Sequence, residues 1–311
     1  MRCLITGGAG FIGSALANRL AKDGHRVRVV DDLSVGDAGR LDRRVLFTRG
    51  NVMDRPKLWT LLQDVDCVYH LAARVQVAES ILYPREYNDV NVGGTVSVME
   101  AMRDAGVQRV VFTSSGAVYG EQAEQPVRED AQPNPQSPYA VSKLAAEYYV
   151  RTIGALWGIQ TVVLRVFNAY GPGQILPASH PPVVPRCLQQ ALSGGSLIVF
   201  GGGGQTRDFV YVDDVVDALI AAATVADVDR RTINVGSGSE TSINCLIDLV
   251  ARVTGRELEV LHSPAESGGV SRLCADTGLA QRLLGYVAHV DLLRGLQSTL
   301  RLDPRFSELS Q

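Results

Sequence analysis

Two short patterns in the 311-residue chain put reactive groups at spacings that chemistry can use. The first is Ser137-Pro-Tyr-Ala-Val-Ser-Lys143. Ser137 suits a helix N-cap and Pro138 the first helical position. Tyr139 and Lys143 then stand at i and i+4 on one helix face. A phenol ordinarily titrates near a pKa of about 10, and a neighbouring ammonium favours its phenolate, bringing tyrosine toward use as a general base. With ten tyrosines and three lysines in the chain, coincidence stays open as the plainer reading. A third group stands nearby in type: the apolar run 110–112 reads as a strand that ends at Thr113, Ser114 and Ser115. Strand C-termini line the ligand crevice of an open parallel sheet, where a hydroxyl can hydrogen-bond a reacting oxygen. The plainer role for those serines is to cap the following loop.

The second pattern is Gly7-Gly-Ala-Gly-Phe-Ile-Gly13, which holds G-x-G-x-x-G at Gly8, Gly10 and Gly13 and G-x-x-G-x-x-G at Gly7, Gly10 and Gly13. Glycines here allow a tight turn, close approach of backbone to a pyrophosphate and close helix–strand packing, and the helix N-terminus favours the phosphates. Alone it could be an ordinary glycine turn. It follows a strand-like run and opens a helical one, and the next strand ends at Asp31 and Asp32. An acidic side chain there takes ribose hydroxyls and repels a 2′-phosphate, and the nearest arginine downstream is Arg40. The pattern predicts a dinucleotide site that prefers NAD to NADP.

These groups need a frame. Apolar, β-branched runs predict strands at 2–6, 26–31, 45–48, 67–71, 109–113 and 161–166, and amphipathic spacing predicts helices at 14–23, 55–62, 92–105 and 138–157. Alternation of the two implies a Rossmann-type doubly wound parallel sheet, an α/β fold. After Asn168 the texture changes to loop at 171–173 and 177–185. A helix over 208–223 and a strand over 232–235 read as further parts of the main sheet, with a helix at 242–254 and one or two more from Asp276 onward. The expected division is a cofactor domain over 1–170, rejoined by 208–236, and a smaller C-terminal α/β substrate domain from 171–207 and 237–311.

Composition narrows the function. A net charge of −3 with 20% charged residues gives no footprint for nucleic acid or an anionic membrane surface. No apolar stretch approaches the roughly 20 residues of a bilayer span, and no leader is expected. The five cysteines lack C-x-x-C spacing and the five histidines lack H-x-x-x-H, so no metal site and no disulfide framework is expected. Together these point to the reducing cytoplasm.

The chain resembles the extended short-chain dehydrogenase/reductases, and among them the nucleotide-sugar 4-epimerases of the UDP-galactose 4-epimerase group. The resemblance is carried by Thr6-Gly-Gly-Ala-Gly-Phe-Ile-Gly13, Asp31-Asp-Leu-Ser34, His70-Leu-Ala-Ala73, Asn91-Val-Gly-Gly-Thr95, Phe112-Thr-Ser-Ser-Gly-Ala-Val-Tyr-Gly120, the Tyr139–Lys143 segment, Arg165-Val-Phe-Asn168, Thr206-Arg-Asp-Phe-Val-Tyr-Val-Asp-Asp214 and Ile233-Asn-Val-Gly-Ser-Gly238. It implies a catalytic set of Ser115, Tyr139 and Lys143. Around NAD it implies Gly7, Gly10, Phe11, Ile12 and Gly13, then Asp31, Asp32, Leu33, Ser34 and Gly36. Asn51 and Val52 would lie by adenine, Leu71, Ala72 and Ala73 along the pyrophosphate and nicotinamide side, and Phe167 near the nicotinamide, with Ser114 also binding the cofactor. For a UDP-hexose it implies Asn168, Val183, Val184, Phe200, Arg207 and Arg272, and it makes Leu273 the wall beside the sugar's C2 substituent.

The implied reaction is epimerisation at C4 through a 4-keto sugar: Tyr139 takes the hydroxyl proton, hydride leaves, the sugar turns, and hydride returns to the other face. Where the related dehydratases carry an Asp-Glu pair this chain has Gly116 and Ala117, which move no protons. Two positions depart from the family's pattern: Glu266 stands at the first arginine of the diphosphate clamp, and Arg74-Val75-Gln76 lies near the sugar. Leu273, smaller than tyrosine, predicts activity on UDP-GlcNAc and UDP-GalNAc beside UDP-glucose and UDP-galactose. The resemblance also implies a homodimer through helices 92–105 and 138–157. The rival readings are a net oxidoreductase, such as a 4-ketoreductase or dehydrogenase, and a non-catalytic NAD-sensing protein.

Overall fold

In the computed structural model, which describes residues 1–264 and 269–307, the chain runs through β1 (Arg2–Thr6), α1 (Phe11–Lys22), β2 (Arg26–Asp31), β3 (Leu46–Arg49), α2 (Arg55–Leu61), β4 (Cys67–His70), α3 (Val77–Leu82), α4 (Pro84–Asn88), α5 (Gly94–Ala105), β5 (Arg109–Ser115), α6 (Pro138–Trp157) and β6 (Gln160–Val166). It continues through β7 (Asn168–Tyr170), α7 (Val183–Ser193), β8 (Ser196–Phe200), β9 (Thr206–Tyr211), α8 (Val212–Thr224), β10 (Arg231–Val235), β11 (Glu240–Ser242), α9 (Ile243–Thr254), β12 (Glu259–Ser263), α10 (Gly278–Leu284), α11 (Leu292–Leu302) and α12 (Pro304–Ser307).

The main sheet is parallel, seven-stranded and ordered β10-β6-β5-β4-β1-β2-β3. Its strands are apolar on both faces because both faces are covered. Leu16 and Leu20 of α1 pack with Val215 and Leu219 of α8 on one side, and Leu58 of α2, Met99 of α5 and Val150 of α6 on the other. The chain winds outward in opposite directions from β1 and β4, so their C-terminal ends open a crevice at the switch point. A three-stranded sheet, β11-β9-β7, and the pair β12-β8 stand beside it, packed with α7, α9 and α11 around a third core.

The helix expected over 208–223 is shorter. Residues up to Tyr211 form β9, in register with β7 and β11 outside the main sheet, and α8 starts at Val212. Phe209, Val210 and Tyr211 are β-formers buried in succession, and the acidic first turn that marks the helix start is Asp213 and Asp214. The strand after it does join the main sheet, as β10 beside β6. The helix expected over 92–105 begins as a wide π turn over 89–93 before α5 proper, a local distortion that recurs at functional sites.

Candidate active site

The glycine loop is held by contacts that leave no room for side chains. Gly7 has φ +69°, donates its N–H to Val30 O at 2.9 Å, and would place a Cβ 2.6 Å from the Ala72 backbone. A Cβ on Gly13 would come 2.2 Å from Gly7 O, and one on Gly8 2.6 Å from Val29. Gly10 is different. It is the N-cap of α1 with no side-chain cap, and its Cβ would meet only Gly7 O at 3.2 Å, so its face is open and no side chain satisfies the first turn of α1. Asp31 closes the loop from β2: one carboxylate oxygen accepts from Ala9 N (3.0 Å), the other from Leu33 N (2.9 Å), and burial pushes its pKa up. Asp32 is exposed and accepts from Ser34 N. Gly36 packs on Ala9, and Arg40 lies against Gly173.

The floor of the crevice is fixed by a residue to which sequence reasoning gave no role. His70, fully buried, bonds Thr6 Oγ1 through Nδ1 (2.7 Å) and Thr95 Oγ1 through Nε2 (2.9 Å). Thr95 donates its own proton to Asn91 O, so His70 must donate from Nε2 and accept at Nδ1. Burial, helped by the Lys143 charge, takes its pKa down to about 3 and keeps it neutral. Thr6 Oγ1 in turn accepts from Ala72 N, which seats Leu71, Ala72 and Ala73 across the loop. Asn91, in the π turn, makes a two-way bond with the Arg74 backbone and donates to Ser142, next to Lys143. The Arg74 side chain is turned away to Glu79 and Glu86. Both His70 and Asn91 sit in segments quoted above; the signal was a polar side chain inside an apolar strand or at a helix start.

Facing this floor, α6 begins as its sequence dictates. Ser137 Oγ caps Ala140 N at 3.1 Å, Pro138 is the first residue, and Gly158 ends the helix in the left-handed region. Tyr139 and Lys143 are both buried. Burial raises the Tyr139 pKa, and the Ser115 hydroxyl, presented from the end of β5, opposes that rise. Lys143 Nζ lies 4.5 Å over the Phe112 ring, and burial lowers its pKa to about 8. The predicted Ser115, Tyr139 and Lys143 are thus drawn to one wall of the crevice.

Other expected residues are placed as follows. Val52 is buried under Gly94, and Asn51 is exposed in the turn before it. Ser114 turns inward to Glu147. Phe167 is buried with its ring 3.1 Å from where a Gly116 Cβ would sit, beside Tyr119, Leu273 and Val118. Phe11 and Ile12 reach from α1 toward the third core, against which Val183 also packs and in which Val184 is buried. Asn168 opens β7, and Phe200 ends β8 with 44% exposure. Arg207 is half-buried, donates to Thr206 O and faces Gly269; Glu121 raises its pKa against the fall that burial causes. Arg272 is held in a two-bond pair with Glu240 at 2.7 Å, which pulls the Glu240 carboxyl down to about 2. Glu266 lies outside the described residues.

A dinucleotide fits this cradle. The open face at Gly10, the uncapped start of α1 and the carboxylates of Asp31 and Asp32 offer a pyrophosphate and a ribose what each needs. Residues 3–236 match the model of the NAD dependent epimerase/dehydratase family. The chain belongs to that family. The UDP-glucose 4-epimerase of Mycolicibacterium smegmatis is 39% identical over 96% of this chain and 97% of its own. A UDP-glucose 4-epimerase from Thermotoga maritima, solved with UDP-glucose, superposes with a TM-score of 0.94 at 34% identity over all of both chains. A UDP-N-acetylglucosamine 4-epimerase from Methanobrevibacter ruminantium, solved with UDP-N-acetylmuramic acid, gives 0.92 at 31% identity over 97% of each. In this epimerase/dehydratase chain no helix among the described residues is long and apolar enough to cross a membrane.

Proposed function

We propose that the chain interconverts the C4 epimers of a UDP-linked hexose with NAD as a retained cofactor. The carrying observation is the convergence of Tyr139, Ser115 and Lys143 on a crevice whose remaining wall, at Gly116 and Ala117, offers no acid or base. Tyr139 takes the proton from O4, and Ser115 hydrogen-bonds both the phenol and the same oxygen. The Lys143 ammonium favours the phenolate, and the Phe112 ring beneath it replaces lost water with a π face. NAD, which the Gly7–Gly13 loop, Asp31 and Asp32 would hold, would supply reversible hydride acceptance from C4. With the Phe167 ring packed against Gly116 on the far side, the sugar has an apolar surface over which to present either face. Arg207, and Arg272 once released from Glu240, hold the diphosphate; Asn168, Val183, Val184 and Phe200 complete the sugar-nucleotide side.

The smaller Leu273 extends the range to UDP-GlcNAc and UDP-GalNAc. We divide the chain as above, with β10 and α8 belonging to the cofactor domain, except that β9 stays with the substrate side. The enzyme works as a homodimer: Val141, Tyr148, Tyr149 and Leu156 form an exposed apolar stripe on α6, which packs with α5. It acts in the cytoplasm, where its five free cysteines stay reduced. Incubation with UDP-glucose or UDP-GlcNAc without added cofactor, read by anomeric NMR, should give the C4 epimers. A demand for added NADH, or its accumulation, would instead establish a net oxidoreductase.

A further inference from the structure

Behind the catalytic wall lies a buried ion pair that the reaction as described does not use. Glu147, on α6 one turn after Lys143, is 2% exposed. Its carboxylate accepts from Arg165 Nε (3.0 Å) and Nη2 (2.7 Å), and from the hydroxyl of Ser114. Arg165, on β6, is also buried, with its guanidinium 4.6 Å over the Tyr119 ring. Tyr119 donates to Asn234, whose amide group donates to Val127 O and Asp276 O. A buried charged pair is costly to assemble and adds little stability over an apolar filling, so its presence beneath a reactive wall calls for a reason.

Ser114 and Ser115 are successive residues of one strand, pointing to opposite faces. Tying Ser114 to Glu147 therefore fixes the strand end that presents the Ser115 hydroxyl to Tyr139. Glu147 also stands four residues after Lys143 on the same helix, and its charge favours the ammonium. We infer that Glu147 is a positioning residue for the proton transfer: through Ser114 it sets Ser115, and along α6 it supplies the counter-charge to Lys143. This rests on the roles given above to Tyr139 and Lys143.

The neighbours of Lys143 leave Glu147 as the group that can act this way. From β4 comes His70, which is neutral; from β5 the Phe112 ring and the Ser115 hydroxyl; from the π turn Asn91 and from α5 Thr95, both uncharged. From α4 Tyr87 faces Tyr139, its hydroxyl held by Glu79 of α3 and its pKa pushed up by burial. From β6 comes Arg165, a second cation that shares the Glu147 carboxylate. Burial brings Lys143 to about 8, and Glu147 is what favours its charged form.

Removing a negative charge lowers the pKa of every group near it. In Glu147→Gln both limbs of the kcat–pH profile of the NAD-containing enzyme, the acidic limb of Tyr139 and the alkaline limb of Lys143, should move to lower pH by about one unit. Glu147→Asp keeps the charge, so its limbs should stay in place even if kcat falls. Ser114→Ala should lower kcat about tenfold with unmoved limbs. A merely structural role lowers kcat in Glu147→Gln without shifting the profile, and that result overturns the inference, as does an equal shift in Glu147→Asp. If Glu147→Gln does not fold, Ser114→Ala is read instead: a fall in kcat with KM and NAD binding unchanged supports the positioning role, and an unchanged kcat overturns it. Tyr139→Phe, run alongside, separates the two readings. If it keeps turnover, the assignment of the base is wrong; if it is inactive while the Glu147 limbs do not move, only the inference about Glu147 fails.

Discussion

The two halves of the crevice are built on different principles. On the cofactor side, position is set by backbone: Gly7, Gly8 and Gly13 are glycines because a Cβ would strike main chain or a neighbouring side chain, and Asp31 is spent on two backbone amides. On the substrate side, position is set by charged side chains that already have partners. Arg272 is paired with Glu240, Arg207 feels Glu121, and the segment from Ser271 to Ala275 is stitched to Glu121, Gln125 and Asp208. A backbone cradle is ready before its ligand arrives; a paired arginine must exchange one anion for another. The first half should tolerate no change in shape, the second should tolerate changes of side chain at moderate cost.

The sharpest break lies at the seam between them. Tyr139→Phe removes the proton acceptor and little volume, so kcat should fall by about 10²–10⁴-fold with NAD and UDP-sugar binding retained. Single-turnover rates and calorimetry on the same preparation check it; near-normal turnover would move the base elsewhere.

Within the cofactor half, Gly13→Ala and Gly10→Ala should part company. The Gly13 Cβ would sit 2.2 Å from Gly7 O, so that variant should lose thermal stability as well as NAD. The Gly10 Cβ meets protein only at 3.2 Å, so that variant should keep its melting temperature and lose NAD affinity by up to about 100-fold, the worth of phosphate–amide bonds of roughly 1.5–3 kcal/mol. Equal loss of stability in both would mean that the open face at Gly10 is not where the pyrophosphate sits. On stripped wild type, calorimetry should find NAD bound well ahead of NADP because Asp31 and Asp32 repel a 2′-phosphate.

These two halves were also unequally legible in the sequence. Strands 2–6 and 26–31 and helix 138–157 match the structure residue for residue, since apolar runs, an Ser-Pro start and a Gly stop are local signals. Glycines demanded by backbone clashes are local too. The polar groups that brace the site are not: His70 reaches Thr6 and Thr95, and Glu147 reaches Ser114 and Arg165, across 18 to 64 positions. Their partners exist only once the sheet is assembled. The misread start at 208 has the same cause, because β9 is a strand by virtue of β7 and β11 on either side, while its own residues run without a break into a helix.

The arginines of the substrate half should differ from each other. Arg207 is half-buried and, among the described residues, its guanidinium donates to the Thr206 carbonyl, whereas Arg272 is over half exposed and already neutralised. Arg207→Ala should raise KM for the UDP-sugar by about 10–100-fold. Arg272→Ala should raise it far less, and Glu240→Gln, by freeing Arg272, should lower it. A larger effect at Arg272 would show that the exposed arginine, and not Arg207, carries most of the diphosphate.

The smallest effect, and the most selective, should come from Leu273. Its main chain cannot retreat: Leu273 O accepts from Asp208 N at 3.0 Å, and the next residue is bonded through both its N–H, to Gln125, and its carbonyl, from Val127 N at 2.7 Å. Arg272 faces outward to Glu240, while Leu273 is buried with Phe167, Tyr119 and Val118. Leu273 is 6% exposed in that cluster, so a tyrosine there must push against a neighbour, and Phe167, next to the crevice, is the neighbour expected to pass the extra ring atoms toward the sugar. Leu273→Tyr should therefore cut kcat/KM for UDP-GlcNAc by about tenfold or more, within the range that a few atoms of pocket space decide, and leave UDP-glucose nearly unchanged. Side-by-side initial rates on the two sugars read the ratio directly. An equal fall on both would mean that the ring has displaced Phe167, and with it the shared part of the site, and Leu273 would then be a core residue and not a gate.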